Sequence, residues 1–463
     1  MVSAHKVTGT KSRVKRVNLG HRLFASPRWQ RPVGENFILT WSQWYALRNY
    51  LKASLWIVPL IALVSEQLVL RTAFALDARV NWIPAWPLDP AGTKTAVETI
   101  ITLVLSFIVF TFGSMLVAIQ IAGGQLTPRI IATTLLRDNV IRVTVGLFIF
   151  TMLFAIGVVA RIEPNTRGFP LWIVSALGLG SVAAFLYLID YAARLMRPAS
   201  IVWQVAEDGL AAIKQVYPIE YNDAGAPVTS RTHLGAPNQI LYLQRRSRIV
   251  LAVDLKSLIA EAKRLNGVIE FVPCIGDFVA IGEPIFKLYN CGGAIRKRSL
   301  RGAVAFGLER TIEQDSTFAF RVIVDIAIKA LSKAINDPTT AVLSIDQLQR
   351  LLRDVGRRDL GNEQIVDDAG ELRVLLRTPK WEDFTQLAFR EIRFYGAENL
   401  QIARRLRAMI DNLMETLPES RMPALVQERD LLDQAIDRLY SLPGDAALAR
   451  IPDVQGIGGA SRT

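Results

Sequence analysis

Residues 99–122, TIITLVLSFIVFTFGSMLVAIQIA, contain no charged side chain and decide the fold class of this sequence. A helix of about 20 residues crosses the hydrocarbon core of a bilayer, so this segment predicts a transmembrane helix. Three more apolar segments of nearly that length lie at residues 53–70, 143–160 and 170–189. A tilted helix would extend the first of them to about residue 75. The sequence therefore predicts four spans within residues 1–197.

The composition agrees with a membrane protein and excludes several other classes. Of the 463 residues, 51% are hydrophobic and 21% are charged, whereas a soluble chain of this length is normally more polar. This balance excludes disordered, collagen-like and small disulfide-stapled proteins. Because the chain has only three histidines and two cysteines, we expect neither a metal ion nor a cofactor.

Lysine and arginine are concentrated before the first span. Residues 1–197 carry a net charge of +12, whereas residues 198–463 are neutral overall. Ten lysines and arginines precede the first span, against two in the loop at residues 77–96. Since the cytoplasmic flanks of spans are enriched in these residues, both termini are predicted to be cytoplasmic. The basic segment suits a membrane surface, and we expect no nucleic-acid partner.

These patterns divide the chain into five regions and predict an α+β membrane protein. A basic cytoplasmic segment with an interfacial helix occupies residues 1–50, and a four-helix transmembrane domain occupies residues 51–197. The predicted cytosolic domain has a mixed α/β region at 198–310 and a helical region with a hairpin at 311–442. A flexible tail is expected at 443–463. The cytosolic fold is thus a small β-barrel-like part followed by a helical bundle.

Two cytosolic segments support this division. PCIGDFVAIGEPIFKLY, at residues 273–289, resembles the hairpin of biotinyl and lipoyl barrels but lacks a Met-Lys acceptor turn, which favours a structural role. Residues 318–335 are apolar except for Arg321, Asp325, Lys329 and Lys333, spaced four apart. Four charges at bilayer depth would cost about 2.5–3.5 kcal/mol each. A buried cytosolic helix is therefore favoured over a fifth span.

Two longer phrases resemble a known family. They are LVAIQIAGGQLTPRIIATTLLRD at residues 116–138 and DIAIKALSKAINDPTTAVLSID at residues 325–346. With ERTIEQDSTFAFR, the GDFV hairpin and TPKWEDF, they resemble a family of bacterial predicted membrane proteins of unknown function. Its members have four N-terminal spans and a cytosolic phrase like ALSPAINDPTTA. The resemblance covers about residues 48–415 and departs at Lys333, where the family usually has proline. It implies a bacterial inner membrane and no particular activity.

The candidate membrane residues are one carboxylate and a set of polar side chains near the second span. Glu66 lies within the first span, and an ionisable group at that depth is a functional hypothesis. The alternative is that Glu66 lies near a helix end. The polar set, interpreted as a pore or gate or else as helix packing and capping, is Thr102, Ser106, Ser114, Gln120, Gln125 and Arg129.

The candidate cytosolic residues belong to the INDPTTA phrase and its approach. They are Asp325, Asn336, Asp337, Pro338, Thr339 and Thr340. One interpretation is a metal or phosphate site. The other is that Asp337 caps a helix with Pro338 in its first turn, while Asp325 forms a helix ion pair. The capping interpretation accounts for both carboxylates, and we favour it.

The sequence leaves three functions open. The leading hypothesis is an oligomeric channel or transport-like assembly, in which the cytosolic domain regulates the spans and the small ion or ligand is not specified. The alternative is a membrane-anchored scaffold or sensor that transports nothing. A membrane enzyme comes third, because the sequence contains no GxxxxGK[ST], GxSxG, HExxH or CxxC motif. The expected partners are the lipid bilayer and further copies of the chain.

Overall fold

The structure, a computed structural model, describes residues 40–54, 56–79, 86–87, 89–125, 138–162, 168–195, 197–221, 234–361 and 363–459. Most of the basic segment, all of residues 126–137 and the last four residues lie outside the described part. The first five helices are α1 (Trp41–Ala53), α2 (Ile57–Asp77), α3 (Pro90–Gln125), α4 (Asn139–Val159) and α5 (Phe169–Leu195).

Helices α2 to α5 are long and apolar enough to cross a membrane, which confirms the prediction of four spans. The first span differs from its predicted bounds of 53–70. A separate helix, α1, ends at Ala53, and α2 then continues to Asp77. The polar residues Glu66 and Gln67 lie within α2 and do not end it. The Glu66 side chain is buried against a neighbouring helix.

The four spans form two pairs of parallel helices, as expected when successive spans cross the membrane in opposite directions. Val58 lies against Gly146, and further along both helices Leu70 lies against Gly157, so α2 and α4 run parallel. Ile100 contacts Gly178 and the ring of Phe107 stacks on Phe185 with centroids 4.0 Å apart, so α3 and α5 also run parallel. Each pair therefore enters from one side of the bundle.

The C-terminal domain consists of nine helices of four residues or more and eight strands over its described residues. In chain order these are α6 (Pro198–Val216), β1 (Gln239–Tyr242), β2 (Arg248–Val253), α7 (Leu255–Leu265), β3 (Val268–Phe271), β4 (Phe278–Val279), β5 (Pro284–Tyr289), α8 (Lys297–Gly302), β6 (Val304–Gly307), α9 (Ser316–Ala330), α10 (Pro338–Gly356), β7 (Gln364–Val366), β8 (Leu372–Leu376), α11 (Trp381–Gly396), α12 (Leu400–Thr416), α13 (Met422–Leu439) and α14 (Pro443–Ala449). A 3₁₀ turn, Glu419–Arg421, precedes α13.

The strands form two open sheets and not the barrel-like part that the sequence predicted. One sheet has the order β1-β5-β3-β8-β7 and the other β4-β2-β6. Among the described strands, β3 and β8 are the one parallel pair. Gly276, the first residue of the GDFV stretch, forms a turn with φ near +92°. The two strands that follow, β4 and β5, belong to different sheets. The hairpin expectation was wrong, because strand pairing depends on distant partners.

The helical part of the C-terminal domain surrounds α9. This helix packs against α6, α10 and α11, and its side chains from Phe318 to Ala330 are mostly buried. The Arg321 guanidinium donates to Asp325 at 2.7 Å and forms a bidentate ion pair with Glu391 on α11. The charged stripe is therefore satisfied within the domain, in agreement with a buried helix and not a fifth span.

Residues 443–459 pack against the helical part of the C-terminal domain, unlike the flexible tail that the sequence led us to expect. Residues Pro443–Ala449 form α14. The buried Arg404 then donates to the carbonyl oxygens of Ile451 and Gly459 at 3.1 and 2.9 Å. Asp453 accepts hydrogen bonds from the backbone of Gly456 and Gly458 at 2.9 and 2.7 Å. A buried arginine on α12 thus fixes a glycine-rich segment that composition alone describes as loose.

Candidate functional site

Glu66 lies near the middle of the 21-residue helix α2 and is only 2% exposed. Gln67 donates from Nε2 to Glu66 Oε2 at 2.8 Å. The other oxygen, Oε1, has no hydrogen-bond partner among the described residues. This position does not agree with the alternative of a helix-end residue, since α2 continues for about three turns beyond Glu66. The structure therefore has a buried carboxyl group near mid-span.

A glycine on α4 makes room for this carboxyl group. A Cβ atom at Gly157 would lie 3.1 Å from Glu66 Oε1 and would also collide with the Leu70 side chain. Gly157 itself is surrounded by a small apolar cluster of the spans, which includes Leu70, Phe154 and Val158. The carboxyl group thus faces a neighbouring backbone in apolar surroundings, where an ionised carboxylate is costly unless it is compensated.

The polar side chains of the second span point elsewhere. Thr102 and Ser106 are exposed on the outside of the four helices and donate to carbonyl oxygens one turn back, at 3.0 and 2.9 Å. Ser114 donates in the same way to Thr111 at 3.0 Å. Gln120 is also exposed. These groups do not line a passage between the four helices, so the pore set is not assembled within one chain.

The rest of the predicted gate falls at or beyond the end of α3. Gln125 is the last residue of that helix, and Arg129 lies in residues 126–137, outside the described residues. The nearest described polar group on the far side of this gap is Asp138. Its Oδ1 accepts from Val140 N and Ile141 N at 2.8 and 3.1 Å and so caps α4. Its Oδ2 accepts from the Tyr191 hydroxyl on α5.

Two further contacts between spans were not predicted from the sequence. At the opposite end of the bundle from Asp138, Asp77 accepts from Phe169 N at 2.8 Å, which fixes the end of α2 to the start of α5. Between the helices, the buried Ser181 donates to Thr151 at 3.2 Å. Carboxylates at span ends and hydroxyls within spans were visible in the sequence. Their partners were not, because they are at least 30 residues away along the chain.

The INDPTTA phrase forms a helix cap. Asn336 adopts φ near +48°, and Asp337 accepts from Thr340 N at 3.1 Å and from the Thr340 hydroxyl at 2.5 Å. Pro338 occupies the first turn of α10, where its missing N–H costs nothing. Thr339 is exposed. Both Asp337 oxygens are therefore occupied by the cap.

Asp325 takes part in a different interaction from Asp337. It forms the ion pair with Arg321 that also involves Glu391, and the Arg321 guanidinium holds the pKa of the Glu391 carboxyl below its usual value. Over the described residues, no three His, Cys, Asp or Glu side chains are grouped closely enough to hold a metal ion. The two carboxylates thus stabilise helices instead of meeting at one ligand site.

Helix α1 joins the spans to the C-terminal domain. Tyr45 is 7% exposed and packs against Ala252 and Ala305 of the smaller sheet. Burial, together with a hydrogen bond to the Glu313 carboxylate, raises the pKa of Tyr45 to about 12. With its amide nitrogen facing Glu313, Asn49 donates to both carboxylate oxygens at 3.0 and 3.2 Å. The sequence predicted only an interfacial helix within residues 1–50.

The same helix also contacts the span bundle. The Arg142 guanidinium, in the first turn of α4, donates to the carbonyl oxygen of Leu51 at 3.0 Å. Since Tyr45 contacts the C-terminal domain, α1 and that domain lie on the same side of the four helices. This agrees with an even number of crossings between them. A movement of α1 would therefore change contacts with both the span bundle and the C-terminal domain.

Comparison with known proteins gives a family. The family model described as "Predicted membrane protein (DUF2254)" matches residues 52–412. Uncharacterized proteins of Mycobacterium bovis and Mycobacterium tuberculosis are 25% identical to this chain over 427 residues, which is 87% of this chain and 80% of each relative. No solved structure matches significantly. Because the family model covers most of the sequence, the chain belongs to the DUF2254 family of predicted membrane proteins.

Proposed function

We propose that this protein is a transport-like membrane assembly in which Glu66 takes up and releases an ion. The observation that supports the proposal is a buried carboxyl group near the middle of a candidate span, with one oxygen unpartnered in the described structure. Ionisable groups at this depth are rare, costly and typical of ion pathways and proton relays. The carboxyl group is accordingly the centre of the proposed activity.

A proton is the ion that suits the surroundings of Glu66. Metal cations such as Ca²⁺ need six to eight oxygen ligands, whereas the Glu66 carboxyl group accepts one hydrogen bond among the described residues, from the Gln67 amide nitrogen. A proton needs only one carboxylate oxygen. Gln67 is exposed on the outer side of α2, so its bond to Glu66 Oε2 connects the buried group with the surface of the bundle.

The proposed assembly contains several copies of the chain. The hydroxyls of Thr102 and Ser106 lie on the outer face of α3. On the same helix, a Cβ atom at Gly113 would have no neighbour within 4 Å. Small and hydroxylated residues favour close contact between membrane helices. Packing of α3 against another copy would cover this face and place its hydroxyls at a shared boundary.

The proposal also includes location and regulation. The concentration of lysine and arginine before the first span supports an inner-membrane protein of bacteria with both termini in the cytoplasm. The C-terminal domain would then regulate the spans from the cytoplasm. Its contact with Tyr45 on α1, and the contact of α1 with Arg142, supply the physical connection that such regulation requires.

The test is proton flux into liposomes that contain the purified protein and a pH-sensitive dye. A potassium potential set with valinomycin drives the flux. We expect wild type to acidify the lumen faster than empty liposomes and Glu66→Gln to lose most of that rate. Glu98→Gln is the matched control, since Glu98 is exposed near the start of α3 and should keep the wild-type rate. Equal rates for wild type, both variants and empty liposomes would overturn the proposal.

A membrane-anchored sensor is the second candidate, and the docking of α1 favours it. In that case the spans would only hold α1 at the membrane, and the Tyr45–Glu313 contact would report the state of the membrane surface to the C-terminal domain. The flux measurement separates the two functions. A sensor gives no flux, and Tyr45→Phe would alter the protease sensitivity of the C-terminal domain in liposomes.

A further inference from the structure

An open groove lies between helix α1 and the first turn of helix α4. The groove has a volume of about 370 Å³ and is lined by Trp44, Leu47, Arg48, Leu51 and Arg142. Three lining residues are large and apolar and two are arginines, and none is acidic. The three apolar side chains are 49%, 44% and 43% exposed, which is high for residues that line a concave surface.

The position of the groove places it at a membrane boundary. Helix α1 ends at Ala53 and the span α2 begins at Ile57. Arg142 lies in the first turn of α4 and donates to the carbonyl oxygen of Leu51. Because α2 and α4 run parallel, their first turns lie at the same side of the bundle. A bilayer around the four spans would therefore place the groove near the boundary between lipid headgroups and acyl chains.

The chemistry of the lining favours one class of ligand. Arginine binds phosphate oxygens through a planar fork of N–H donors, and the Arg48 guanidinium stands 5.4 Å from the Trp44 ring centroid. Tryptophan is enriched at membrane interfaces because its ring is largely apolar but carries an N–H donor. An inorganic phosphate ion would use the two arginines and leave the three apolar side chains uncovered.

We propose that this groove binds an anionic phospholipid from the leaflet on the side of the C-terminal domain. Arg48 and Arg142 contact the phosphate, and Trp44, Leu47 and Leu51 contact the glycerol and the upper acyl chains. Since a neighbouring face of α1 contacts the C-terminal domain through Tyr45, a bound lipid would stabilise that docking.

The experiment measures lipid binding to the purified full-length protein in detergent by native mass spectrometry. Phosphatidylglycerol is compared with phosphatidylcholine of the same chain length. We expect wild type to bind phosphatidylglycerol more tightly. Arg48→Gln and Arg142→Gln should each weaken that binding about fivefold, as about 1 kcal/mol per arginine implies. Arg161→Gln, which removes a charge at the other end of α4, should leave it unchanged.

Each outcome decides the proposal. Equal binding of the two lipids, or an equal loss in Arg161→Gln and Arg48→Gln, would overturn it. Full competition by inorganic phosphate at the lipid's own concentration would indicate a free-phosphate site and also overturn it. Arg48 is exposed, so its variant should fold even if Arg142→Gln loosens α1. Because Glu66 is not involved, loss of flux in Glu66→Gln leaves this test unaffected.

Discussion

Glu66 and Gly157 face each other between two parallel spans, so that a Cβ atom at Gly157 would come within 3.1 Å of the Glu66 carboxyl oxygen. The carboxyl group thus fits between the two spans because the neighbouring helix has a glycine, with no side chain, at this position. Gln67 holds one oxygen at 2.8 Å and the other has no partner among the described residues. This pair of positions connects the packing of the spans with the proposed ion site.

Replacement of Gly157 by alanine should destabilise the spans. The added methyl group collides with Leu70 and presses on Glu66, and overpacking of this kind costs about 1–3 kcal/mol. The melting temperature in detergent measures the effect. Gly180→Ala is the control, since a Cβ atom there has no neighbour within 4 Å and alanine is the better helix former. Equal melting temperatures for the two variants would contradict the packing of α2 against α4.

Replacement of Asp337 by alanine should cost about 0.5–2 kcal/mol, because it removes the N-cap of α10. Asp337→Ser should keep most of the stability, since a serine hydroxyl also accepts from the N-terminal N–H groups. Thermal unfolding of both variants, with and without divalent cations, measures the difference. If serine fails as badly as alanine and a divalent cation raises the wild-type melting temperature, Asp337 is a metal ligand and not a cap.

Tyr45 should make the docking of α1 sensitive to alkaline pH. Burial and the Glu313 carboxylate raise the pKa of Tyr45 from about 10 to about 12, so the folded state keeps the phenol protonated. The stability that this contributes is complete below pH 10 and is lost as the pH rises toward 12. Tyr45→Phe should flatten that part of the curve, measured by unfolding at a series of pH values. Parallel curves for wild type and Tyr45→Phe would refute the assignment.

The proposed orientation is tested by labelling in intact cells. In a Cys274→Ala, Cys291→Ala background, Ala91→Cys at the start of α3 and Ser441→Cys before α14 place one thiol on each side of the span bundle. A membrane-impermeant maleimide should modify the cysteine at position 91 and spare the one at position 441 until the cells are lysed. Labelling of position 441 from outside would reverse the orientation.

Local sequence patterns were sufficient to predict the number of spans and the N-terminal cap of α10. The charge-free run at residues 99–122 lies within α3, and the Asp337-Pro338 pair lies where α10 begins. In both cases the determining residues are neighbours in sequence, so hydropathy and capping rules apply directly. The extent of the first span was harder to predict, because only the fold shows that Gly157 leaves room for the Glu66 carboxyl group between two spans.

The features that the sequence did not predict depend on distant partners. The GDFV stretch begins with a turn at Gly276. Strand β4 nevertheless pairs with β2, and β5 pairs with β1 and β3. The glycine-rich tail is held by Arg404, nearly 50 residues earlier. An interfacial helix was predicted where α1 lies, but only the fold places Tyr45 beside Glu313. Sequence patterns identify such residues but not the surfaces against which they pack.

The role of Glu66 as the ion site inside the bilayer is the central claim, and carbodiimide labelling tests it most directly. Dicyclohexylcarbodiimide is apolar and adds to protonated carboxyl groups, so peptide mass spectrometry of the liposome-embedded protein identifies its targets. We predict that Glu66 is modified and that exposed Glu98 stays largely unmodified. An unmodified Glu66, with wild-type folding intact, would contradict the account.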